Sequence, residues 1–150
     1  MNKIDSVEKK IAMMTENGFN EAEFITLQKA IRGKNANTKI ISSHIGLVYS
    51  DPKTGNGISY AVDHALSETL AIDYDCLIVV GGSEHIEFLC EEPHAIRLIR
   101  AFLRESMPIL VVSEGSKLLN IIGDTRFSGL SYENEVYLNS DSVFWNINGK

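Results

Sequence analysis

Cysteine is scarce in this sequence: Cys76 and Cys90 are its only thiols, not spaced as a CxxC pair and without histidines at zinc-finger intervals. That spacing argues against a structural metal site, and a reducing compartment argues against a disulfide. Cys76 lies inside an apolar run and reads as a small buried hydrophobe, whereas Cys90 reads as partly buried filler ahead of a helix. Positive charge is also short, with 14 basic against 20 acidic residues and a formal charge of −6. No stripe of Lys and Arg gathers to neutralise phosphates, which excludes nucleic acid as the expected partner. No apolar run approaches the ~20 residues of a membrane-spanning helix, and Met1 to Lys10 lacks the apolar stretch of a secretion signal. These absences predict a cytoplasmic protein with no membrane partner, no metal and no cofactor.

What is present predicts one domain over residues 1–150, since 150 residues with 44% hydrophobic content suffice for a single core. Lys10-Ile11-Ala12-Met13-Met14 reads as a first strand, closed by the turn-forming Asn17-Gly18. Phe24, Leu27 and Ile31 then recur at helical spacing, with Gly33 ending the helix. Thr38 to Ser42 follows as a second strand, reached through a helix as parallel pairing requires. Leu47-Val48-Tyr49 and Ile58 to Val62 flank the turn-rich segment Asp51 to Gly57, a β-hairpin.

Cys76 to Val80 is uninterrupted by polar residues, as a strand covered on both faces would be, and it stops at Gly81-Gly82. Pro93, preceded by Glu91 and Glu92, opens a helix that buries Ala95, Leu98, Ile99, Phe102 and Leu103. Pro108 to Val112 is another buried strand, leading through Ser113-Glu114-Gly115 into a short helix from Lys117 to Ile122. Val136-Tyr137-Leu138 and Val143 to Ile147 read as a closing antiparallel hairpin. This alternation predicts a three-layer α/β/α sandwich, flavodoxin-like, with a mostly parallel central sheet and an added hairpin. Ligands of such folds sit at the carboxyl ends of the strands, which singles out residues 16–20, 81–85 and 113–115.

Three blocks carry a resemblance: Asn17 to Glu23 after the first strand, Asp73-Tyr74-Asp75 leading to Gly81-Gly82, and Pro108 leading to Ser113-Glu114-Gly115. In order and spacing, from about Lys9 to Gly123, the chain resembles the DJ-1/PfpI superfamily, which is class I glutamine amidotransferase-like and includes intracellular protease-like, glyoxalase-type and chaperone members. The resemblance implies catalysis by a cysteine in the strand-to-helix elbow, a neighbouring histidine, and a glutamate beside the Phe of the first loop. Those positions hold Ser113, Glu114 and Asn20. The likeness is greatest to nucleophile-lacking members such as the domain appended to large-subunit catalases, whose hairpin resembles Leu47 to Val62.

Each replacement weakens the chemistry. Thiolate is the attacking species of an elbow cysteine, and a serine there needs a positioned base. Glu114 is too weak a base for that at neutral pH, and Asn20 cannot exchange a proton. Elbow turns use small residues two before and two after the nucleophile; Gly115 fits and Val111 does not. Ser113 then serves as a helix cap. His85 is the histidine that could rescue catalysis, as a base oriented by Glu84 or Glu114; otherwise it is a surface residue at the start of a helix. His44, His64 and His94 read as structural or solvated, and Glu21 and Glu23 as charges that suit the first turn of a helix. The amides of Gly81-Gly82 could hold an anion.

Two functions follow from the residues, with a third from the resemblance. The first is a non-catalytic binding or scaffolding module with a polar pocket at Asn20, Gly81, Gly82, His85, Ser113 and Glu114, taking a small polar or anionic ligand. The second is a hydrolase or lyase using Ser113 and His85. The third, a chaperone-like stress protein, needs an exposed apolar patch. The family's sheet is followed by a closing helix that this sequence does not show, so a homodimer is expected to cover the face left open.

Overall fold

The computed structural model describes residues 8–32, 34–123, 131–132 and 136–138. The chain opens with β1 (Lys9–Met14), β2 (Phe19–Asn20), α1 (Glu21–Ile31), β3 (Ala36–Ser42), β4 (Leu47–Asp51), β5 (Ser59–Ala61) and β6 (His64–Ala65). It continues with β7 (Cys76–Val79), α2 (Ser83–Cys90), α3 (Pro93–Arg104), β8 (Ile109–Val112), α4 (Ser116–Ile122), β9 (Ser131–Tyr132) and β10 (Val136–Leu138). The sheet runs β6-β3-β1-β7-β8-β10-β9. Its first five strands are parallel, and β10 pairs antiparallel with both β8 and β9.

Period-two alternation sorts the strand residues between two cores. Ala12, Met14, Leu77, Val79, Ile109 and Val111 face one way, against Ile86 and Leu89 of α2, Leu98, Ile99 and Phe102 of α3, and Leu118 and Leu119 of α4. Ile11, Met13, Ile78, Val80, Leu110 and Val112 face the other, against Phe24, Leu27 and Ile31 of α1. The sandwich is therefore α/β/α, and the unbroken apolar runs of β7 and β8 are those of strands buried on both faces.

The expected hairpin forms as β4 and β5, antiparallel with Val48 opposite Tyr60, and it joins β2 in a small second sheet. Tyr60 lies against Phe24, ring centroids 4.9 Å apart, and Phe24 against Phe19 at the same distance. Glu21 fixes the hairpin loop: its carboxylate accepts from the backbone of Asn56 and Gly57 and from the Ser50 hydroxyl at 2.8–3.0 Å. These bonds, the one from Asn56 foremost, hold its pKa below the ordinary carboxylate value.

Two expectations need adjustment. The helix after Gly82 runs from Ser83 to Cys90, so Cys90 ends α2 and does not merely precede a helix. Val136 to Leu138 is a strand, but it is flanked by β8 and β9; Val143 to Ile147 lies outside the described residues, as do Gly33 and residues 139–150, where a closing helix was not expected. No helix among the described residues is long and apolar enough to cross a membrane.

Candidate functional site

Three strand ends converge on the site. At the end of β8 the chain turns through Ser113, whose φ of 51° is left-handed, and enters a single 3-10 turn before α4. A non-glycine residue held there is strained, as elbow residues commonly are. Val111 does crowd this turn: a Cβ at Gly115 would press on its Cγ1 at 2.5 Å, so the glycine relieves on one side what the valine imposes on the other.

At the end of β7, Gly82 has a φ of 123°, and a Cβ on it would strike the carbonyl oxygen of Gly18. Only glycine lets the two loops approach so closely. A Cβ on Gly81 would collide with the Glu114 carboxylate. Both glycines are thus explained by what their amides touch. The N–H of Gly81 donates to Glu23 Oε1 at 2.7 Å, and that of Gly82 to Glu114 Oε1 at 3.0 Å. The anion expected at these amides is supplied by the chain's own carboxylates.

Ser113 is no helix cap; it donates its hydroxyl proton to Glu23 Oε2 at 2.5 Å. Glu23 therefore occupies the place that the resemblance gave to Asn20. Asn20 caps α1 through its side-chain oxygen, which accepts from the Glu23 amide at 3.0 Å. Its own N–H is given to the Gly81 carbonyl at 2.9 Å. A capping-box glutamate would reach back to that N–H. With it already committed, the Glu23 side chain is free to bridge β7 and β8. The signal was in the sequence, a carboxylate three residues after an N-cap, but the first-turn charge rule explained it too easily.

His85 is not a surface residue. It is fully buried in the first turn of α2, its Nδ1 accepting from the Glu16 amide at 2.9 Å and its Nε2 donating to the Val80 carbonyl at 3.0 Å. Desolvation pushes its pKa down to about 4, so the ring is neutral with both nitrogens committed. It braces the β1 loop against β7 and does not reach Ser113 by either nitrogen. Neither thiol is at the elbow: Cys76 is buried within β7 and burial pushes its pKa far up, while Cys90 at the end of α2 is also raised, chiefly by burial.

A cleft of about 960 Å3 lies beside this network, bordered by Glu16, Gly18, His44, Tyr49, Glu84 and Phe88 among others. Asn20, Gly81, Gly82, His85, Ser113 and Glu114 do not line it. At its edge Glu16 is buried, accepting from the Ser42 and Ser43 hydroxyls and the Ser43 amide at 2.8–3.0 Å. Burial outweighs those bonds and raises its pKa.

A parallel sheet ending in a Gly-Gly turn and a strained elbow defines the protein class as an α/β domain with its polar site at the strand ends. Residues 9–125 match the DJ-1/PfpI family, to which this chain belongs. The chain is similar to Catalase-2 of Bacillus subtilis, 27% identical over 123 residues that make up 81% of this chain but 17% of the catalase. Solved structures share the fold. A two-domain protein of Anabaena variabilis with DJ-1/ThiJ/PfpI-like and ferritin-like domains superposes with a TM-score of 0.70 at 17% identity, over 77% of this chain and 32% of that one. Drosophila melanogaster DJ-1beta does so with 0.68 at 18% identity, over 78% and 61%. The chain thus spans less than two thirds of each of these relatives.

Proposed function

We propose that this chain is a DJ-1/PfpI-family domain without the catalytic cysteine, acting as a non-catalytic binding or scaffolding module. The observation that carries this reading is the occupancy of the Gly81 and Gly82 amides by Glu23 and Glu114. Acyl-transfer catalysis needs such donors free for a developing oxyanion. Here the oxyanion would have to displace a group of its own charge. Ser113 offers its proton to a carboxylate, not an imidazole; a carboxylate is a far weaker base than the alkoxide it would leave, and Glu114 beside the site adds a negative charge that disfavours that alkoxide further. The strained elbow backbone is what favours the other reading, a hydrolase using Ser113.

Labelling with a fluorophosphonate probe separates the two. The wild-type protein is expected to show no Ser113 adduct by peptide mass spectrometry and no esterase turnover above that of Ser113→Ala. An adduct on Ser113, or turnover lost in that variant, overturns the non-catalytic reading.

The scaffolding part of the reading takes a second copy of the chain as partner. Ile45 and Leu47 stand exposed at the hairpin, apolar surface that water covers at a cost of roughly 25 cal/mol per Å². Light scattering is expected to return twice the chain mass; a monomer mass that holds across concentrations counts against it.

A further inference from the structure

We propose that the cleft bordered by Glu16, Glu84 and Phe88 binds a small organic cation, an ammonium group carried on an aromatic or apolar body. The cleft draws on four separate segments: residues 16–18 after β1, 43–44 after β3, 49–53 at the end of β4, and the first turns of α2. Its charged rim is unbalanced, with Glu16, Asp51 and Glu84 against Lys53.

A second feature points the same way. His44 Nε2 lies 3.1 Å from the Leu47 carbonyl oxygen, which can only accept, so that nitrogen carries the hydrogen. Its Nδ1 lies 3.5 Å from the Ser43 hydroxyl, whose proton goes to Glu16, and 3.8 Å from Glu16 Oε1 itself. Glu16 Oε1 and, in the ring's neutral form, His44 Nδ1 are acceptors side by side, and an ammonium N–H is a group that both can accept from. Glu16 is held rigidly for the purpose by its three donors from Ser42 and Ser43, so it needs no reorganisation on binding. The apolar side is supplied by Tyr49, 53% exposed, and Phe88, 48% exposed. Aromatic faces of that kind attract a cation electrostatically and bury the body that carries it.

The ligand class deepens the binding-module reading and rests on it, yet the two fail differently. A Ser113 adduct would end that reading without touching the charge selectivity of the cleft. The test is a titration of the full chain, followed by amide NMR, with three probes that share a ring and differ in charge: phenethylamine, phenethyl alcohol and phenylpropionate. The amine is expected to saturate with shifts at Gly18, His44 and Ser83, binding about tenfold or more tighter than the alcohol, while the acid does not saturate. Glu16→Gln should remove the preference for the amine. Should that variant fail to fold, Glu84→Gln and Phe88→Ala, at exposed positions, should each weaken the amine severalfold, and Glu105→Gln, exposed and outside the cleft, should leave it unchanged. Equal affinity for amine and alcohol, no saturation at millimolar amine, or shifts centred on Ser113 overturns the proposal.

Discussion

Folding stability, followed by urea unfolding, should drop by about 3 kcal/mol as the pH falls from about 6.5 to about 4, with His85 as the cause. Unfolding returns the imidazole to water, where it binds a proton near its ordinary value. The folded chain refuses that proton, because a charged ring would be stranded without solvent and would lose the acceptor that the Glu16 amide needs. Between the two values the unfolded state carries the extra proton, so stability rises with pH across this window and is fully present above it.

Two carboxylates modify this curve in opposite senses. The raised pKa of Glu16 means that the fold favours its protonated form, so its contribution is in place in acid and lost as pH rises through the raised value. The lowered pKa of Glu21 gives stability that is present above the ordinary carboxylate value and lost as the pH falls through the lowered one. His85→Gln isolates the histidine. A glutamine can keep one of the two hydrogen bonds, so the variant should be less stable at pH 7 yet show a much shallower slope from pH 7 downward. A flat wild-type profile, or an equal slope in the variant, removes His85 from this role.

The elements that the sequence made legible are those whose physics is local. Cys76 to Val80 and Pro108 to Val112 read as strands covered on both faces, and over Cys76–Val79 and Ile109–Val112 they are. The turn chemistry around Pro52 and Gly57 announced the hairpin. What was not legible depends on packing between distant segments. Ser83 and Glu84 make the start of α2 look solvated, although Ile86, Phe88 and Leu89 follow. His85 is buried only because the β1 loop folds over it. Glu23 likewise looks like an ordinary first-turn acid until the Asn20 amide is seen to be spent on Gly81. The strand-to-helix turn at Ser113 lies where order and spacing put it, but the partner of Ser113 lies 90 residues away and is fixed by the meeting of strand ends.

If charge around the elbow is what silences it, chemistry should return when charge is reversed. In a Cys90→Ala background, Ser113→Cys would set a thiol against Glu23 and within the field of Glu114. Thiolate formation beside carboxylates is disfavoured, so this variant should alkylate slowly with iodoacetamide at neutral pH. Adding Glu114→His removes a negative charge, offers a hydrogen-bond donor, and frees the Gly82 amide. A fall of about two pKa units would raise the thiolate fraction about a hundredfold. Intrinsic nucleophilicity falls as the thiol becomes more acidic, by about tenfold over the same interval, leaving a net gain of about tenfold. Cys76 is buried in β7 and should contribute nothing to the rate. A single variant as reactive as the double one would mean that Glu114 does not hold the elbow inert. The silence would then lie in the exchange of sulfur for oxygen alone.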